Sequence, residues 1–110
     1  MVRHWHNSCM KHLITINVGV SETRDITPQD IKLALEHCTE VFGAGTVILT
    51  HGAWSDSGLL YLDAGLQVSV VYGGLDSRTK AIELAARLKS AFKQICVLLS
   101  IQKLDYSEFI

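Results

Sequence analysis

A chain of 110 residues is the size of one domain, and 48% hydrophobic against 19% charged residues excludes a disordered composition. Ten basic residues against eleven acidic ones leave a formal charge of -1, so no net field draws the molecule to nucleic acid or to anionic lipid. The longest apolar runs, such as Cys96-Val97-Leu98-Leu99, fall far short of the roughly 20 residues a bilayer crossing needs, so neither a nucleic-acid nor a membrane partner is expected.

In chain order, residues 1–12 form a weakly ordered leader ahead of a single α+β domain over 13–110. The leader carries His4, His6, Cys9 and His12, all able to ligate zinc, nickel or copper. Their spacing matches no structural zinc signature, so they are weak candidates and no metal site is assigned. The polar-broken stretch after them does not have the form of a signal peptide. Cys9, Cys38 and Cys96 contain no CxxC pair, and the last two sit on apolar stripes, which implies reduced, buried thiols and a cytoplasmic setting.

Residues 13–20 alternate, with Ile14, Ile16, Val18 and Val20 on one side, as a half-buried strand does. Thr27-Pro28-Gln29-Asp30 starts a helix: a threonine N-cap, proline where no N–H is needed, and an acid at N3. Ile31, Ala34, Leu35, Cys38, Val41 and Phe42 recur at helical spacing, and Gly43 is the stop. Between strand and helix, Glu22-Thr23-Arg24-Asp25 is a charged loop serving capping and local pairing. Residues 46–54 are rich in β-formers, and Ser55-Asp56-Ser57-Gly58 is a turn cluster that makes a hairpin. Asp63-Ala64-Gly65 predicts a bulge before a strand over 66–72. Gly73-Gly74 is a tight turn rather than a phosphate loop, since neither GxGxxG nor GxxxxGK[ST] is present. Asp76 or Ser77 caps a second helix, with Ala81, Ile82, Ala85, Leu88 and Phe92 as its apolar face and Arg78, Lys80, Glu83, Arg87, Lys89 and Lys93 on the wet one. A fourth strand covers 95–102, and the apolar tail after it extends that strand or folds back over an edge.

Two βαβ units joined by a hairpin resemble the ferredoxin-like superfold, an α+β βαββαβ arrangement with a four-stranded antiparallel sheet and two helices on one face. The order also resembles dimeric α/β barrel proteins. These resemblances are of pattern and carry no family-specific motif, so they imply a fold and not a function.

Helices on one face leave the other open. Strand parity places Thr15, Asn17, Gln67, Ser69, Val71, Leu98, Ser100 and Gln102 on that open face, joined by Ile48, Thr50 and Trp54. A mixed surface of this kind suits a homodimer contact or the floor of a small-molecule site, with Thr15, Asn17, Ile48, Trp54, Ser69, Val71, Leu98 and Ser100 as the contact set. It does not suit RNA recognition, because the first strand has no aromatic to stack a base and Tyr72 has helix-facing parity. A homodimerising binding module is the first functional expectation, without a cofactor and more plausibly not an enzyme. The alternative is a small cofactor-independent enzyme in which His51 is the acid/base and Asn17 and Tyr61 polarise the substrate, with Asp56 or Asp63 orienting the imidazole. A third is metal binding through the N-terminal histidines and Cys9.

Overall fold

The computed structural model describes residues 11–21, 24–108 and 110. Its elements follow the order β1 (Lys11–Ser21), α1 (Pro28–Phe42), β2 (Thr46–Asp56), β3 (Leu59–Tyr72), α2 (Ser77–Ala91) and β4 (Leu98–Leu104). The strands form one antiparallel sheet in the order β2-β3-β1-β4, and both helices cover one face. This is the ferredoxin-like α+β arrangement.

The core is the seam between the helices and the inward parity of the sheet. Ile14, Ile16 and Val18 of β1 and Leu66, Val68 and Val70 of β3 meet Ala34, Cys38 and Val41 of α1 and Ala81, Leu84 and Leu88 of α2. Each buried aliphatic side chain here contributes about 1.5–3 kcal/mol of transfer free energy. Helix α1 forms as its sequence dictates. Thr27 is the N-cap, its hydroxyl accepts from the Asp30 N–H at 3.3 Å, and the Asp30 carboxylate accepts from the Thr27 N–H at 2.8 Å. Arg24 donates to the same carboxylate at 2.7 and 3.1 Å.

Those bonds, the guanidinium first and then the Thr27 donors, hold the Asp30 carboxyl down to about 2. The folded chain thus binds this proton more weakly than the unfolded chain does. The stabilisation is complete above the ordinary aspartate value of about 3.9 and is lost as pH falls toward the folded value. Thr27→Ala is expected to cost about 1 kcal/mol at neutral pH. Asp30→Asn is expected to flatten the acid limb of a urea-melt series below about pH 4.

Four sequence expectations need correction. Helix α2 buries Leu84, while Ile82 is 47% exposed. Its N-cap is Asp76, which makes no side-chain cap bond because its carboxylate accepts from the Tyr72 hydroxyl at 2.7 Å. Strand β4 starts at Leu98 rather than residue 95, because after the helix Lys93 turns to φ 55 and the Gln94 N–H bonds back to the Lys89 carbonyl. Cys96 therefore lies in the connection, exposed, and is no buried strand residue. Cys38 is the buried thiol, donating to the Ala44 carbonyl at 3.2 Å and pushed up to about 11 by burial, so it stays neutral.

The last correction concerns the bulge. Strand β3 runs unbroken through Asp63-Ala64-Gly65 and stays in register with β2 from Asp56↔Leu59 to Thr46↔Ser69. The irregularity lies across from it in β1, between Gly19 and Ser21. The hairpin closes through Ser57 and Gly58 alone, both with positive φ (51 and 81), the conformation a two-residue turn matched to strand twist requires. Since β1 reaches β3 only as far as Ser21↔Ala64, the remaining length of β2 and β3 stands beyond it as a two-stranded arm. At the opposite end Lys11, which begins β1 inside the segment expected as leader, is buried and donates to the Ser107 carbonyl at 2.7 Å. No helix among the described residues is long and apolar enough to cross a membrane.

Candidate functional site

The register across the open face fixes which side chains can act together. Thr15 faces Ser69 on one side and Ser100 on the other, and Asn17 faces Gln67 and Leu98. Ile48 is opposite Gln67, Thr50 opposite Gly65, Gly52 opposite Asp63 and Trp54 opposite Tyr61. All of these share one parity, together with Val71. Ile48 is 50% and Leu98 63% exposed, while Thr15, Asn17, Gln67, Ser69 and Val71 are half-buried.

Toward the root of the arm this face is hollowed into a depression of about 320 Å³, lined by Asn17, Val18, Gly19, Thr50, His51, Gly52, Asp63 and Gly65. Glycines on three adjacent strands make the hollow: Gly19 pairs with Gly65, and Gly52 pairs with Asp63. At Gly65 the close approach is strict, since a Cβ would stand 2.5 Å from the Val18 carbonyl oxygen and 3.0 Å from the Thr50 hydroxyl. The Asp63 carboxylate lies over Gly19, with one oxygen 3.4 Å from where a Cβ would be. Asn17 accepts from the Gln67 side-chain amide at 3.0 Å, which uses its Oδ1 as acceptor and keeps its NH2 as a donor.

Of the residues expected to work together, Asn17, His51 and Asp63 line the same depression. Strand alternation nevertheless groups the His51 side chain with Leu49 and Ala53, on the parity opposite to Asn17 and Asp63. Tyr61 does not line the depression. It stacks on Trp54 further out, with ring centroids 4.3 Å apart and planes 15° from parallel. Asp56 stands at the turn, where its carboxylate accepts from Ser57. The metal candidates His4, His6 and Cys9 lie outside the described residues, whereas His12 belongs to β1 and approaches Ser77 at 3.4 Å. Among the described residues no group of three or more His, Cys, Asp or Glu side chains could hold a metal ion.

Sequence reasoning did not foresee the arm's other face. Leu60 and Leu62 are 68% and 67% exposed, on the helix-side parity. The signal for it is a run of leucines flanking a turn, which local patterning reads as ordinary half-buried strand.

No family model and no curated protein matches this chain. Solved structures do. A phage SAM lyase in complex with S-methyl-5′-thioadenosine superposes with a TM-score of 0.69 at 21% identity, over 84% of this chain and 81% of that one. The periplasmic divalent cation tolerance protein CutA from Archaeoglobus fulgidus gives 0.63 at 9% identity, over 90% and 88%. CutA from Synechococcus elongatus gives 0.60 at 10% identity, over 88% and 79%. At these identities the likeness is one of fold.

Proposed function

We propose that this chain is a self-associating, small-molecule-binding protein, in its simplest form a cytoplasmic homodimer. A second copy covers the open sheet face and the arm, and the depression around Asp63 becomes the ligand cavity. The arm carries the reading. It exposes Trp54, Leu59, Leu60 and Leu62 at 49–68% each, and a two-stranded hairpin with apolar side chains on both faces has little stability of its own in water. Burial against a second copy offsets that exposure at about 25 cal/mol per Å² of apolar surface, and on the open face Ile48 and Leu98 add exposed apolar surface of the same parity as Trp54. Sedimentation velocity at micromolar concentration is expected to give a species larger than the 12.2 kDa chain. Leu60→Asp with Leu62→Asp, and separately Leu98→Glu, are expected to shift it to monomer. A wild-type chain sedimenting as monomer sinks the reading.

The ligand proposed is a thionucleoside of the type named in the phage SAM lyase complex, S-methyl-5′-thioadenosine. The depression supports it by being small, by carrying the Asn17, Thr50 and Asp63 side chains and by lying beside an aromatic pair. A second reading, cleavage of S-adenosylmethionine, is favoured by Asp63. Its carboxylate is the single acidic group among the lining residues, suited to the positive charge on a sulfonium sulfur. In that reading Asn17 orients the substrate by a hydrogen bond, while His51, whose side chain has the opposite parity, and Tyr61, outside the depression, take no part. The substrate's own carboxylate displaces the thioether at the γ-carbon of the amino-acid chain. A C–O bond forms to close a five-membered lactone, the C–S bond breaks, and the electron pair goes to sulfur. Neutral S-methyl-5′-thioadenosine is left, with no net proton transfer. Incubation with S-adenosylmethionine and chromatography for that product test it, with Asp63→Asn expected to abolish turnover. Absence of product from the wild-type chain removes the enzymatic reading and leaves the binding one to its own titration.

A further inference from the structure

The outer part of the arm holds an aromatic pair whose apolar surface a second copy could bury, although that burial does not explain the pair's stacked geometry beside the hollow. Trp54 and Tyr61 are Cα partners across β2 and β3, stacked at 4.3 Å and 15°, with Trp54 49% exposed. Cross-strand aromatic pairing alone contributes about 0.2–1 kcal/mol to a hairpin and explains why the rings touch. It does not explain why a large aromatic surface faces solvent directly beside the hollow that Asp63 lines. The next pair inward on the same face is Gly52↔Asp63, two residues along each strand and so about 7 Å away. Gly52 places no side chain between the stack and the hollow, and Asp63 presents a carboxylate at its rim.

Resting on the thionucleoside reading above, we propose that the Trp54–Tyr61 stack is the platform for the planar base of that ligand, while Asp63 accepts the ribose hydroxyls. A face of the stack offers the base a π-surface, and the step from the stack to the carboxylate corresponds to the step from base to sugar in a nucleoside. The adjoining glycines let the sugar and its thioether settle toward the Gly19 and Gly65 backbone. A carboxylate accepting two neighbouring hydroxyls supplies the polar fixation that stacking lacks.

The test is a calorimetric titration of the full chain with S-methyl-5′-thioadenosine and, in parallel, with base-free 5-methylthioribose. Trp54→Ala is expected to weaken the nucleoside about 10- to 100-fold, the range that removal of one stacking aromatic gives, and to leave 5-methylthioribose unchanged. Trp54→Phe, which keeps a planar ring, is expected to restore most of the loss. Asp63→Asn is expected to weaken both ligands. In a Trp5→Phe background, where Trp54 is the sole tryptophan, the nucleoside is expected to quench fluorescence. Wild-type binding that Trp54→Ala does not weaken overturns the platform and leaves the thionucleoside reading standing. Equal weakening of both ligands by Trp54→Ala, which a collapsed arm would cause, also overturns the platform. No binding of the nucleoside by the wild-type chain overturns both.

Discussion

Leu84→Ala is expected to cost about 2–5 kcal/mol, while Ile82→Ala two positions away stays within about 0.5–1 kcal/mol. Leu84 is fully buried between α2 and the sheet, and truncating it leaves a void lined by a close-packed seam that can relax only in part. Ile82 is 47% exposed on the outer side of the same helix, so removing it returns little apolar surface to water. Urea melts of the two variants check the contrast through the midpoint at constant slope. Equal midpoints would mean that α2 is rotated about its axis relative to the packing described.

The helix that this pair of variants probes is also where the sequence was least legible. Helix α1 announces itself: a threonine, a proline and an acid at fixed offsets start it, large apolar residues recur along one stripe, and Gly43 ends it in the left-handed conformation at φ 81. In α2 the apolar positions are largely alanines. Ala81, Ala85 and Ala86 have little hydrophobic weight, so Ile82 and Leu84 compete to define the stripe, and only packing against α1 and the sheet decides between them. The connection to β4 fails for a related reason. Ile95, Cys96 and Val97 have strand propensity, but the carbonyls at the end of α2 draw the chain back through Gln94 before it can extend.

For the site, strand parity in β1, β3 and β4 was enough to assemble Thr15, Asn17, Ser69 and Ser100 on one surface, because alternation is local. The hollow was not readable. It arises from glycines in separate strands brought level by register, and no spacing along the chain records that. Gly65 carries the lesson most directly: in sequence, Asp63-Ala64-Gly65 has the look of a bend in β3. The glycine is instead required by the neighbouring strand, and the strand that bends is β1.

Gly65→Ala should accordingly behave unlike a substitution at a flexible loop glycine, and unlike Gly52→Ala in the same depression. The added Cβ would meet the Val18 carbonyl oxygen at 2.5 Å. That oxygen belongs to the backbone of β1, which is held between β3 and β4, so it cannot swing aside as a side-chain tip would. Relief requires parting β1 from β3 near Gly19↔Gly65, and the cost falls toward the upper end of the about 1–3 kcal/mol typical of overpacking. Alanine's smaller backbone entropy cost recovers only about 0.4–1 kcal/mol of it. The melting temperature is expected to drop by roughly 8–15 °C, given about 4–8 °C per kcal/mol for a domain of this size. At Gly52 the nearest atom to a new Cβ is that of Asp63 at 3.9 Å, an ordinary contact, and Gly52→Ala is expected to melt within a few degrees of wild type. Because parting β1 from β3 also displaces Asn17 from Gln67 and Asp63 from Gly19, Gly65→Ala is expected to weaken the proposed thionucleoside binding along with stability. Should Gly65→Ala melt with Gly52→Ala, the close approach of β1 to β3 is wrong, and with it the glycine-floored hollow from which the proposed function is built.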